Sequence, residues 1–177
     1  MEFKTLYQEL TKSTEMLKSL LAGISQEEAQ VKQSPGKWSI LEVICHLYDE
    51  EREDFREHLD FIISTSLNAG LRRQDEEWHP ISPFAWVKLR KYNQQNFTKM
   101  RNKFFSEREK SLRWLKSLRK VDWEAEYKRR LGTMSAGDMF SAWVAHDNLH
   151  VRQLVELRRR YIERITKPYK IRYAGDW

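Results

Sequence analysis

The sequence predicts an all-α chain folded as a four-helix bundle. Three observations predict it. Four long stretches carry apolar residues at helical spacing, no segment alternates regularly enough to make a strand, and only six glycines and four prolines punctuate 177 residues. At that length the chain fits one domain, residues 1–177, large enough to bury a proper core.

The first helix is expected from about Phe3 to Leu21, with Leu6, Leu10, Leu17 and Leu21 on one stripe and Gly23 as its C-terminal cap. Ser25 and Glu28 have capping-box form and suggest a short further turn before the break at Ser34-Pro35-Gly36. Ser39 and Glu42 open the second helix in the same way. Val43, Ile44, Leu47, Phe55, Leu59 and Ile62 carry its apolar face until it fades between Ser64 and Asn68. Asn68 to Ser82 reads as a long connection, a kind of loop that is often functional, and its His79 could approach a site as a lid. Ser82-Pro83 starts a helix that continues, with a kink, to about Arg119. Its stripe is Phe97, Arg101, Phe104, Arg108, Leu112, Leu115 and Leu118. Asp122 to Thr133 is another connection, read as strand-free. Ser135 and Asp138 cap the fourth helix, which runs to roughly Ile165, and the tail from Lys167 has no clear period.

Composition narrows the function. Apolar residues at 40% and charged residues at 33% describe a globular chain with a heavily solvated surface. The net charge of +6 invites a nucleic-acid reading. The cations are interleaved with acids along helical segments, however, and form only two triplets, Lys128-Arg129-Arg130 and Arg158-Arg159-Arg160. A solvated helix face explains them, so nucleic acid is not an expected partner. The lone cysteine, Cys45, excludes an internal disulfide, suits a reducing compartment and reads as a small core filler. No stretch approaches the roughly 20 apolar residues of a membrane span, and the N-terminus does not resemble a signal peptide. The expected location is cytoplasmic.

The chemistry is concentrated on the fourth helix. His146 and His150 are one turn apart and share a face with Met139, Trp143, Leu157 and Tyr161, so they replace core residues. Burying two imidazoles costs free energy unless each nitrogen is hydrogen-bonded or ligated, and a metal ion can ligate both. His46 borders the apolar stripe of the second helix and is the candidate third ligand. Three histidines with one open position is an arrangement of catalytic zinc, and imidazole also suits nickel, copper and iron. A competing set adds Glu50 as a carboxylate ligand, but it lacks the paired Glu-x-x-His of di-iron bundles. Three histidines is the preferred set.

Gly36-Lys37-Trp38-Ser39-Ile40-Leu41-Glu42-Val43, leading into His46-Leu47-x-Asp49-x-Glu51, resembles the DinB/YfiT-like family of metalloenzymes. His146-Asp147-x-x-His150-x-x-Gln153 is the second half of that resemblance. Between them Arg108, Leu112 and Leu115, then Trp123 and Gly132, look like the family's third helix and its exit loop. The resemblance runs from Phe3 to Ile165. It implies a bundle with a mirror variant of up-and-down connectivity, often a homodimer. It also implies a divalent metal, zinc or nickel, on His46, His146 and His150. The activities it implies are thiol-dependent S-transfer or isomerisation, using low-molecular-weight thiols such as bacillithiol or mycothiol, or metal-dependent hydrolysis of a small-molecule substrate.

Catalytic groups are not fixed by these motifs; the candidates are Gln153, Asp49 and Arg108. Arg108 lies on a buried stripe, where a guanidinium must be paired, and Asp49 or Glu50 are its expected partners. Asp49 and Asp147 are candidate acceptors orienting a ligand imidazole. Adjacent helical residues point about 100° apart, so Asp147, next to His146, is expected in solvent. Gln153 could bond a water at the open position, and His58 is expected to be exposed. With no general base evident beside the histidines, thiolate activation, in which a metal lowers a thiol pKa, is favoured over hydrolysis. A non-enzymatic metal-binding or stress-response role is the remaining alternative.

Overall fold

The computed structural model describes residues 2–67, 81–129 and 132–175. The first bundle helix is α1, Phe3–Leu20, followed by a short α2, Gln26–Gln30, which Ser25 caps by accepting from the Glu28 amide. The second is composite. α3, Ile40–Glu50, passes through a π-helical turn at Glu51–Phe55 and continues as α4, Arg56–Leu67. The fourth is the longest, α7, Ala136–Ile165. Among the described residues no helix is long and apolar enough to cross a membrane.

The third bundle helix departs from expectation. It is broken rather than kinked, into α5, Pro83–Leu89, a 3-10 turn at Tyr92–Gln94, and α6, Phe97–Ser117. Lys91 takes a left-handed conformation (φ 48°) at the break. Asn96 then restarts the helix, its side chain accepting from the Lys99 amide at 2.8 Å.

The expected strand-free connection before α7 holds a hairpin, which corrects that reading. β1, Glu126–Arg129, pairs antiparallel with β2, Gly132–Ser135, with Tyr127 opposite Met134. Four-residue strands give too short an alternation to be seen in sequence. Tertiary contacts hold the hairpin instead. Ala136 and Gly137 donate to the carbonyls of Ala125 and Trp123, both at 2.9 Å, and Trp123 stacks on Phe3 with centroids 5.2 Å apart. Gly132, at φ 116°, occupies a conformation open chiefly to glycine.

α1 packs along α7 and α3 along α6, while α4 lies against α7. The apolar core is in two parts. One gathers Leu17, Ile44, Leu47, Phe97, Phe104 and Leu154; the other gathers Leu10, Phe55, Leu59, Leu115, Phe140 and Trp143. Between them lies a buried polar layer: Ser13 and Thr14 from α1, Glu51 from the π turn, Arg108 and Ser111 from α6, and Asp147 from α7.

Candidate metal centre

The site is assembled by two well-started helices. Ser39 and Glu42 form a reciprocal capping box at the head of α3, with 3.2 Å and 2.8 Å bonds, and Ser39 also donates to Asn93 at 2.6 Å. That fixes the phase of α3, so His46 enters the bundle about two turns later. Ser135 and Asp138 do the same for α7, which carries His146 and His150.

The structure brings these three histidines together. His46 Nε2 lies 3.3 Å from His146 Nε2 and 3.1 Å from His150 Nε2, and the last two are 3.1 Å apart. Burial, reinforced by the other imidazoles, pushes His46 down to about 2. Burial likewise takes His146 down to about 3 and lowers His150. Three neutral rings therefore bring their Nε2 atoms to one spot. Ligand nitrogens about 2.0–2.1 Å from a tetrahedral ion would be roughly 3.3 Å apart, so this donor set fits a divalent metal.

The surrounding contacts fix the rings. His150 Nδ1 donates to the Gln153 amide oxygen at 2.8 Å, which commits its Nε2 to the acceptor form. Gln153 thus holds the His150 tautomer. Gln153→Ala is expected to lower metal affinity by about 10–100-fold, read by competition with a chelator. Trp38 meets His46 edge-on at 4.8 Å, and Phe55 packs on His146 at 4.9 Å.

Glu50, which the sequence offered as a competing carboxylate ligand, also borders the cluster. It sits one turn after His46, with Oε1 3.4 Å from His46 Nδ1 and Oε2 3.2 Å from His146 Nε2. Its carboxylate is thus beside the point where the imidazoles converge. Burial, with Asp54 and Asp49 nearby, pushes its carboxyl up to about 8. Its i, i+4 spacing from His46 was the available signal.

These shifts predict how the metal-free protein responds to acid. Its imidazoles, ordinarily near 6.5, take up protons more readily when unfolded, so their contribution is lost as pH falls below 6.5. Glu50 opposes this, since its contribution is lost as pH rises from 4.5 through about 8. Three imidazoles outweigh one carboxyl. The urea midpoint is expected to fall steadily between pH 6.5 and 4.5, and a flat profile would show that the rings are charged and paired in the fold.

The other candidates are placed differently from expectation. Arg108 is buried, but its partners are neither Asp49 nor Glu50. Nε and one terminal nitrogen donate to Glu51 at 2.8 Å each, and the terminal nitrogens donate to Asp147 at 2.5 and 2.8 Å. Asp147, expected in solvent, is fully buried and also accepts from Ser13 at 2.6 Å. The 100° offset from His146 is real, yet it turns Asp147 toward α1 and α6 rather than outward. Among the described residues Asp49 bonds no imidazole; it accepts from the Tyr92 hydroxyl at 2.5 Å and pairs with Arg90 at 2.6 Å. His58 is buried, not exposed, bonded to Asp54 at 2.6 Å. It lies between Phe55 and Ile62 on the inward face, and Asp54 supplies the partner that makes its burial tolerable. Cys45 is buried as expected, its thiol pushed up to about 12 by desolvation. His79 lies outside the described residues.

A cavity of about 460 Å³ opens onto His46, His150 and Gln153, walled by Trp38 and Phe84. The molecule is thus a helical bundle with a three-histidine cluster suited to a divalent ion, open to solvent on one side. Residues 9–154 match the DinB superfamily, and the chain belongs to that family. Among solved structures it is similar to YfiT from Bacillus subtilis, described as a probable metal-dependent hydrolase with an unusual four-helix bundle topology. The two share 16% identity over 90% of this chain and 87% of that one, with a TM-score of 0.68. At that identity the likeness carries the fold alone. No curated protein matches the chain significantly.

Proposed function

We propose that the chain is a metal-dependent hydrolase of a small molecule, with Glu50 as its general base. The observation that carries this is the Glu50 carboxylate oxygen 3.2 Å from His146 Nε2, beside the three converging imidazoles. His46, His146 and His150 would hold zinc or nickel, which when bound supplies Lewis acidity toward water and a carbonyl oxygen. Burial alone would keep Glu50 protonated at neutral pH, and a cation held beside it would restore the ionised form; that carboxylate takes a proton from the attacking water as the water oxygen bonds to the carbonyl carbon. The bond from that carbon to the leaving oxygen or nitrogen then breaks, and Glu50 returns the proton to it. Gln153 keeps His150 oriented throughout, and Trp38 and Phe55 wall the rings. YfiT's description supports the same class of reaction.

Glu50→Gln tests the reading. It is expected to keep wild-type metal content while 4-nitrophenyl acetate hydrolysis falls about 10²–10⁴-fold. Loss of the metal would make Glu50 a ligand, and an unchanged rate would overturn the assignment. Thiol S-transfer needs the same imidazoles and no base. A change in the cobalt form's absorption on adding bacillithiol, with hydrolysis absent, would favour it. Exposed Met16, Leu149, Ile162 and Ile165 give α1 and α7 apolar surface that suits the homodimer implied by the family resemblance.

A further inference from the structure

Resting on the hydrolytic reading above, we propose that the substrate is a small anionic ester or amide with a flat apolar body. The body lies against the Trp38 and Phe84 rings, and the anion meets Lys37 and Arg152. The cavity beside the imidazoles has a volume typical of small-molecule sites, about 460 Å³. Its walls are aromatic: the Trp38 and Phe84 rings have centroids 5.8 Å apart, and Phe84 is 81% exposed, beside the cavity rather than in the core. Among the described residues lining it, Lys37 is the one charged side chain. A second depression of about 400 Å³ shares Lys37, Trp38 and Gln153 with the first and adds Arg152 and Glu156.

The charges there are unbalanced. Glu156 is already held by Arg159 and Arg160, at 3.3 and 2.7 Å. Arg158 nearby is paired with Glu28, and Lys32 with Glu42. Neither Lys37 nor Arg152 forms an ion pair among the described residues. Two uncompensated cations beside this aromatic wall draw in anions and hold them away from the reacting centre. Outward from the imidazoles the order is reacting group, flat apolar body, anion.

The test uses zinc-loaded full-length protein and calorimetric titration with 4-hydroxybenzoate and its neutral isostere 4-hydroxybenzamide. The benzoate is expected to bind about tenfold more tightly. The K37Q/R152Q double variant is expected to erase that preference with its zinc content unchanged. Equal affinities in the wild type would overturn the proposal. So would a preference that survives in the double variant, because the carboxylate would then be seeking the metal. Hydrolysis of 4-acetoxybenzoate separates the two readings. Preferential binding without hydrolysis of this ester or its benzamide counterpart would remove the hydrolase and keep the ligand class; hydrolysis of both at equal efficiency would do the reverse.

Discussion

Elemental analysis of protein purified without an affinity tag is expected to find about one divalent ion per chain in the wild type and close to none in His150→Ala. His46→Ala is expected to behave alike. Each ring supplies one corner of a triangle with sides of 3.1–3.3 Å, and two corners leave a much weaker chelate. The loss should also appear as stability. A ligand that binds only the folded chain raises the melting point in proportion to the logarithm of its concentration, so added zinc should stabilise the wild type and not the variants. A wild type that is metal-free and indifferent to added zinc or nickel would make the histidines structural, and the hydrolase reading would fall with them.

The second large effect is expected away from the metal. Arg108→Met should destabilise the protein by about 3–5 kcal/mol, because it leaves Glu51 and Asp147 buried without their counter-charge. That is a large part of the roughly 5–15 kcal/mol available to a typical domain, and urea titration would measure it. Arg108→Met combined with Glu51→Leu and Asp147→Leu should recover most of the loss, since buried ion networks add little over apolar packing. An Arg108→Met variant as stable as the wild type would mean that the two carboxyls find protons or other donors.

Much of this fold was legible because its signals are local. Ser39 with Glu42 and Ser135 with Asp138 announce helix starts within four residues, and both capping boxes form. His146 and His150 could be placed inward from one helix face alone. His46 needed more, because its position against α7 depends on how two helices cross. Long-range pairing was not legible. Arg108 plainly required a carboxylate, but its pairing with Glu51 and Asp147 rather than Asp49 or Glu50 depends on how three helices meet, which no local pattern marks. The break after Lys91 and the hairpin before α7 were hidden for a related reason: contacts with distant segments help hold them, as Gln30 and Ser39 bond Asn93, Gln26 accepts from the Phe97 amide, and Phe3 stacks on Trp123. Glu50 was visible as a neighbour of His46 and a competing ligand, but its reach to His146 on another helix was not.

The buried polar layer has a consequence for alignment. The apolar clusters on either side of it are built of leucine, isoleucine and phenylalanine, which pack almost as well after a helix slides by one turn. A charged layer does not tolerate that slide. Moving α7 by one turn, about 5.4 Å, would strand Arg108, Glu51 and Asp147 against hydrocarbon. Because Asp147 follows His146 directly, the same slide would pull two imidazoles away from His46. The ion network then acts as a gauge that sets where α7 stops, and the imidazole triangle inherits its tolerance. One hypothesis follows for the triple apolar replacement: the protein should stand up to urea yet hold zinc less tightly, and undiminished zinc affinity in that variant would refute it.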